Sequence, residues 1–414
     1  MSPVTAMRAA AADLATHTLS TLAALRHTNA RLTDARFRIA RAATMFGAAF
    51  TVAACGSDGS LSSTPQPPKG IIVMDGFIQP GLTYLADTGS SSTRTIFGST
   101  TEFDAGGFTL LRDTVLAVSS RAAGDLLYIA DVRTGTMRRL QLPAKSNPAR
   151  ARLLTGSNGA TTIGVALRDS SMIATVSVTG GGTPTISRLI NAGLCPTDLF
   201  VYDNATWVVD ANANCRTNYT VQGDVRLIRI PTSGTTRDTI VIPGMRGSGA
   251  GALVVNDVAY VSAGGDASFA SFPYALIASG SVAKIDLRNK RVLLQRTMPT
   301  GTYGGGAKLG LDGYLYVSLY QDLVNFKSRM MKVRTDDLSF VTGVPATSTA
   351  TWLTLTSSTG TDVTCGSAQA DALGRVHCIV NGTGSATSLV VFDATGKEVR
   401  RVSAGQGGVD LALR

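Results

Sequence analysis

A short apolar run, a tight turn of Asp, Asn or Gly, and a second apolar run recur six times along this chain. That recurrence limits the possible folds more than any other feature. The clearest copies read "LVVNDVAYVSAG" (253–264), "KLGLDGYLYVSLY" (308–320), "LFVYDNATWVVD" (199–210) and "LLRDTVLAVSS" (110–120). Weaker copies are "VALRDSSMIATVS" (165–177) and "ADALGRVHCIV" (370–380). Their turns centre near Asp113, Asp169, Asn204, Asp257, Asp312 and Leu373. Asp, Asn and Gly tolerate the backbone geometry of a tight turn between strands, so each copy reads as a β-hairpin. A repeat of a few tens of residues built from strands points to radial or linear repetition, not to one irregular core.

Composition agrees. The 414 residues exceed the usual size of a single-core domain. Gly is abundant, at 44, and only 16% of residues are charged, which is an all-β profile without amphipathic helices. The formal charge is +10, but the first 54 residues hold six Arg against two acids. The remaining charges are scattered, with no Lys/Arg run and no nucleic-acid motif. They read as a solvated, mildly basic surface, and no nucleic-acid partner is expected.

The N-terminal region reads as an address. In "RFRIARAATMFGAAFTVAACGSDGS" (36–60), three Arg precede an apolar stretch from Ala42 to Ala54, and then comes Cys55. The stretch is shorter than the roughly 20 residues of a membrane-spanning helix and fits the core of an export signal. Val52-Ala53-Ala54-Cys55 resembles the bacterial lipobox, in which the Cys thiol takes a diacylglycerol and becomes the mature N-terminus. The resemblance implies export and a lipid anchor at Cys55. In a bacterium with two membranes, the absence of Asp directly after Cys55, where Gly56 stands, points to the outer one. The polar, Pro-rich "GSDGSLSSTPQPPK" (56–69) reads as a tether. The expected division is therefore signal 1–54, tether 55–70 and folded domain 71–414. Residues 1–31 make an unusually long leader, consistent with translation starting near Leu32.

Four further cysteines remain: Cys195, Cys215, Cys365 and Cys378. An even number in an exported chain predicts disulfides. Paired positions of an antiparallel hairpin lie equidistant from its turn. The midpoint of 195 and 215 falls beside Asp203-Asn204, and that of 365 and 378 beside "DALG". The pairing expected is Cys195–Cys215 and Cys365–Cys378. Zinc is disfavoured, because no C-x-x-C spacing occurs and His377 is the sole His after residue 54.

A second hairpin family follows the first: "LLYIADVRTGTMRRLQL" (126–142), "VRLIRIPTSGTTRDTIVI" (225–242), "VAKIDLRNKRVLLQ" (282–295), "RMMKVRTDDLSFV" (329–341) and "LVVFDATGKEVRRV" (389–402). Two hairpins make a four-stranded sheet, the blade of a β-propeller. Blades are expected to start near 108, 163, 198, 251, 306 and 369. The terminal "VDLALR" (409–414) reads as a lone innermost strand, and "LTYLADTGSSSTRTIFG" (82–98) supplies strands that it lacks. Joined, they give a composite seventh blade that closes the ring and leaves no edge there. "AYVSAGG" with "SVAKIDLRNKRVLL", and "LYVSLY" with "RMMKVRTDDLSFV", resemble the YVTN-type propeller repeat, with NHL and quinoprotein-like propellers as near relatives. The matching residues are core and turn residues, so the resemblance implies the fold and no activity.

Loop lengths then select a working end. Connections between first and second strands, and between most third and fourth strands, are short. Those between second and third strands (211–224, 263–280, 320–328) and between blades (143–162, 342–364) are long, and these two classes emerge at one end of a propeller. Long loops on a rigid scaffold commonly carry binding residues. The candidates there are Asp210, Asn212, Asn214, Arg216, Tyr219, Asp266, Phe269, Phe272, Tyr274, Tyr320, Asp322, Phe326 and Lys327, aromatics with polar companions suited to recognition. The alternative use of these aromatics is a satellite core packing loop against loop.

Catalytic signals are sparse. Asp210-x-Asn212-x-Asn214 opens like a calcium loop, but Cys215 replaces its Gly and Val221 its closing Glu, so calcium is not expected. No G-x-S-x-G occurs, and His377 reads as a packed strand residue. The sequence thus predicts a lipid-anchored, extracytoplasmic, monomeric β-propeller without a cofactor. It would bind a protein, peptide or glycan through its long-loop end. The runner-up is a lactonase- or lyase-like enzyme with Asp and Asn metal ligands in the central channel.

Overall fold

The computed structural model describes residues 70–76, 81–86, 93–98, 105–119, 124–157, 160–231, 237–247, 250–268, 270, 274–321, 323–324, 327–341, 352–382 and 386–414. The signal, Cys55 and the tether lie outside the described residues. Alternating apolar positions and two-residue turns fold the described chain into seven antiparallel sheets arranged as blades.

Blade 1 opens with β1 (Gly70–Asp75), β2 (Gly81–Ala86) and β3 (Thr93–Gly98). Blade 2 is β4 (Ala105–Leu111), β5 (Thr114–Ser119), β6 (Leu126–Asp131) and β7 (Met137–Gln141). Blade 3 is β8 (Pro148–Ser157), β9 (Ala160–Leu167), β10 (Met172–Thr179) and β11 (Thr185–Asn191). Blade 4 comprises β12 (Pro196–Tyr202), β13 (Ala205–Asp210), β16 (Arg226–Pro231) and β17 (Thr239–Val241). A small hairpin, β14 (Ala213–Asn214) and β15 (Thr220–Val221), is inserted within it. Blade 5 is β18 (Gly251–Val255), β19 (Val258–Ser268), β20 (Ala275–Asp286) and β21 (Arg291–Thr297). Blade 6 is β22 (Tyr303–Leu309), β23 (Leu315–Tyr320) and β24 (Ser328–Val333). Blade 7 is β25 (Ser367–Ala370), β26 (Val376–Asn381), β27 (Ala386–Phe392) and β28 (Glu398–Gln406). The last strand, β29 (Gly408–Leu413), returns to pair with β1 as the innermost strand of blade 1.

Ring closure is therefore a strand exchange between the two ends of the described chain. Arg414 fastens it: its N–H donates to Gly70 O at 2.8 Å, while its guanidinium pairs with Asp113 of blade 2. The innermost strands are rich in small residues, as in "YGGGAKL" and "SAQA", so seven of them pack in a circle. Each of the seven touches the next, and β29 touches β4. Apolar clusters fill the seams between blades, the largest lying between blades 4 and 5 around Trp207, Leu227, Val261 and Ile285. Arg138 and Arg139 on β7, Arg291 and Arg296 on β21, and Arg400 and Arg401 on β28 put charge on outer edge strands, which discourages pairing with another chain.

Turn chemistry explains the hairpins read from sequence. Asp203 and Asn204 both adopt positive φ (48° and 52°) in the two-residue link between β12 and β13. Asn256 (φ 54°) and Arg112 (φ 53°) begin the equivalent links of blades 5 and 2.

Four expectations need correction. Blade 3 starts at Pro148, not near 163: its innermost strand is β8, inside the segment taken as a link. The hairpin around Asp169 consequently joins second and third strands, so Asp169 lies at the opposite end from the other turn aspartates. Blade 1 takes three strands from the N-terminal side, because Gly70–Asp75 forms a further strand ahead of 82–98. Most of the 263–280 loop is strand, since β19 and β20 continue pairing out to Ser268 and Ala275 and overhang the blade. In blade 6, the expected fourth strand shrinks to the single bridge Val333–Phe340 among the described residues.

Candidate functional site

The axis comes first, because propeller channels are where small molecules are commonly held. Its walls carry charges that no turn or core pattern marks. Arg152 of β8 donates from Nε and Nη2 to the two carboxylate oxygens of Asp198 on β12, at 2.9 and 2.7 Å. Asp198 also accepts from the N–H of Ala252 on β18, at 3.3 Å. Arg150 reaches the other way, from Nη1 to Phe108 O on β4 at 3.1 Å. Lys308 of β22 donates to Ser367 Oγ on β25 at 2.7 Å, to Leu411 O on β29 at 2.6 Å, and to the Asp410 carboxylate. Gln369 joins blades 6 and 7 through Leu309 O at 3.1 Å. These bonds link the innermost strands in two arcs, β4–β8–β12–β18 and β22–β25–β29.

All of these ionic side chains are buried. Desolvation pushes Arg150 down to about 10, opposed by the nearby Asp198 charge. Burial also lowers Lys308, opposed by Asp410. Such pairs add little net stability over an apolar core, yet breaking one leaves a buried charge and is costly. Their chemical meaning is structural. The channel carboxylates are each held by a cation from another blade, and the described residues contain no cluster of three or more His, Cys, Asp or Glu able to hold a metal. This donor set does not fit a channel metal held by Asp and Asn.

The recurrent turn aspartates are also engaged. Asp257 takes Tyr202 Oη at 2.9 Å and Arg288 at 2.6 Å, and Asp312 takes Tyr316 Oη at 2.7 Å and Lys332 at 2.8 Å. Burial and the Asp312 charge together push the Tyr316 phenol above its ordinary range. Asp371 binds Arg375 Nε at 2.7 Å and His377 Nε2 at 2.9 Å. His377 is wholly buried on β26, a packed strand residue.

At the long-loop end the disulfides join Cys195 to Cys215 and Cys365 to Cys378, each with Cα atoms 5.6 Å apart. The first fastens the β14–β15 insertion to the link leading into blade 4. Asp210 anchors this knot from beneath. It is fully buried, accepts Cys195 N–H at 2.8 Å and Asn212 N–H at 3.1 Å, and pairs with Arg226. Gly193 (φ 112°) is required beside it, since a Cβ there would lie 2.5 Å from Asp210 Oδ2.

The sequence candidates separate into classes. Asp210 and Asn212 are structural, with Asn212 Nδ2 bonded to Asp224 O at 3.1 Å. Tyr219 packs under Arg168 and accepts from Asn147 Nδ2 at 2.7 Å, locking the insertion onto blade 3. Tyr274 and Tyr320 join Tyr303, Leu276 and Leu323 in a satellite core between blades 5 and 6. Burial pushes the Tyr320 phenol up. Asp266 faces Arg246 at 3.6 Å. Asn214, Arg216 and Lys327 are exposed. Phe269, Phe272, Asp322 and Phe326 lie outside the described residues. Every described aromatic in the set thus packs loop against loop, the alternative use weighed above.

One buried carboxyl at this end stands apart. Asp75 ends β1, is 4% exposed, and its Oδ1 has no hydrogen-bond partner among the described residues. Burial pushes its pKa up to about 8. It lies against Gly405 (φ 113°), where a Cβ would come within 2.4 Å of Asp75 Oδ2.

No protein-family model and no curated protein matches the chain. Solved structures similar to it include BamB from Moraxella catarrhalis, 13% identical over 83% of this chain and 85% of that one, with a TM-score of 0.41. A quinonprotein alcohol dehydrogenase-like protein from Bacteroides thetaiotaomicron is 11% identical over 84% and 78%, at 0.49. AztD from Citrobacter koseri is 11% identical over 83% and 97%, at 0.43. Likeness at this level transfers no residue role and no activity to this chain.

Proposed function

We propose that the protein is a non-catalytic extracytoplasmic scaffold, acylated at Cys55 and presenting its long-loop end to a protein, peptide or glycan. The observation that carries this reading is the axis: the groups a channel enzyme would use for chemistry are instead cross-paired between blades. What remains for recognition is the stapled rim, with Asn214, Arg216 and Lys327 exposed on it. Two disulfides suit an oxidising compartment. The YVTN-type resemblance supports the scaffold and adds no activity.

We infer an orientation for the anchored scaffold, which the strand order supports. β1 is the second strand of its blade, so Gly70 lies at the short-turn end. A tether from Cys55 joins the ring there, and the long-loop end faces away from the anchoring membrane, the outer one where there are two. Cys55→Ser is expected to release the protein from the membrane fraction and abolish lipid labelling. Fluorophores placed at residues 112 and 216 of vesicle-anchored protein should report the first nearer the headgroups. Unchanged fractionation would refute the anchor, equal depths would refute the orientation, and a stoichiometric tightly held metal would refute the non-catalytic assignment.

A further inference from the structure

The seams between blades are not equally filled. Between blades 2 and 3, at the short-turn end, the sheets separate into a groove of about 410 Å³. Its floor is aliphatic, formed by Leu116, Ile129, Ile163 and Val178, which are the upper members of the apolar cluster of that seam. The opening exists because small residues cap it: Thr114 on one side, Thr161 and Gly180 on the other. A volume of this size falls within the range of small-molecule sites, and aliphatic walls with a few polar groups at the mouth are their usual lining.

The polar groups have one sign. Arg112 and Arg138 line the groove, and among the described residues no carboxylate does. Arg138 holds the outer rim, donating from Nη1 to Gly180 O at 3.2 Å and Gly182 O at 3.1 Å. Arg112 is exposed in the turn between β4 and β5. The neighbouring acids do not neutralise it. Asp113 is engaged by Arg414 and, at 3.1 Å, by Arg133, while Asp131 accepts Arg133 N–H at 2.7 Å and Thr134 N–H at 2.9 Å. An aliphatic slot with a guanidinium at its mouth that no described residue engages complements an alkyl chain ending in an oxyanion.

We propose that the groove between blades 2 and 3 binds a medium-chain fatty acid, its chain between the sheets and its carboxylate on Arg112. Binding is non-covalent, and the site is separate from the long-loop end. Bonding to a charged partner makes Arg112 the determinant of headgroup choice. The aliphatic floor sets the dependence on chain length, each added pair of methylenes tightening binding by up to roughly tenfold until the groove is full.

The test is isothermal titration of the full chain carrying Cys55→Ser, which removes any acyl group of its own, with decanoate kept below its aggregation range. Saturable one-to-one binding is expected, with hexanoate weaker. Arg112→Gln should weaken decanoate roughly tenfold while barely changing affinity for decanol. Thr161→Trp, which fills the slot, should abolish binding with an unchanged melting temperature. If that variant misfolds, Thr114→Trp blocks the same slot from blade 2. Absence of saturable decanoate binding would overturn the proposal, as would full binding to a folded tryptophan variant or equal affinity for decyltrimethylammonium.

Discussion

The axis and the long-loop rim of this ring use the same polar residues for different ends. Along the axis, Asp198 and Asp410 each meet a cation from another blade, and the bonds run from blade to blade in two arcs, blades 2 to 5 and blades 6, 7 and 1. At the rim, Asp210, Cys195, Cys215 and Tyr219 fasten one insertion to its own blade and the next. Loss of an axial pair therefore strikes the closure of the ring, whereas loss of a rim contact frees a loop. Asp75 shows the third case, a buried carboxyl that neither arrangement answers.

The sharpest way to break this comparison is Asp198→Ala. It strands Arg152, which is 4% exposed, without its bidentate partner. Removing one member of a buried pair costs about 3–5 kcal/mol. Chemical denaturation should show that loss in a single global transition. A cost below 1 kcal/mol, or a separate early transition, would place the axis in the same class as the rim.

The next largest effect belongs to the rim. Cys195→Ala with Cys215→Ala opens a 20-residue interval, worth about 3 kcal/mol on a loop-entropy account. The neighbouring sheets stay packed, so hydrogen exchange should rise over 211–224 well before the ring unfolds. Uniform acceleration across all blades would mean that the insertion belongs to the ring's cooperative unit.

These two cases also explain what could be read in the sequence. Turn chemistry was legible: Asp203, Asn204 and Asn256 encode left-handed backbone locally, and the blades around them fell in place. The cysteine pairing agrees with the spacing about those turns, although register does not place the partners opposite one another: Cys378 faces Ala368, and Cys215 lies in the β14–β15 insertion. Blade 3 was misread because period-two alternation does not say which pair of strands a hairpin joins. Its innermost strand, "PARARLLTGS", was obscured by the Arg150 and Arg152 that make the axis work. Charges inside apolar runs, in that strand, in "VDLALR" and in "GGGAKL", were the available signal for the axial network. Whether an aromatic in a loop faces solvent or another loop is set by tertiary packing, so Tyr219, Tyr274 and Tyr320 could not be assigned beforehand.

The smallest expected effect sharpens the contrast between answered and unanswered carboxyls. Asp75 is raised to about 8 by burial, so the folded protein keeps its proton where the unfolded chain releases it near 3.8. Stability linked to this group is complete below pH 4, where both states are protonated. It is lost progressively as pH rises towards 8, and above that the deficit is constant. Asn keeps the shape and removes the ionisation. Asp75→Asn should therefore match the parent near pH 4 and exceed it increasingly as pH rises towards 8, read from urea midpoints across that range. Replacing an axial carboxylate instead lowers stability, because it leaves Arg152 or Lys308 buried without its partner. A parent and an Asp75→Asn variant with parallel pH profiles would show that water or a cation answers Asp75 after all, and that the seam between blades 7 and 1 is as well satisfied as the axis.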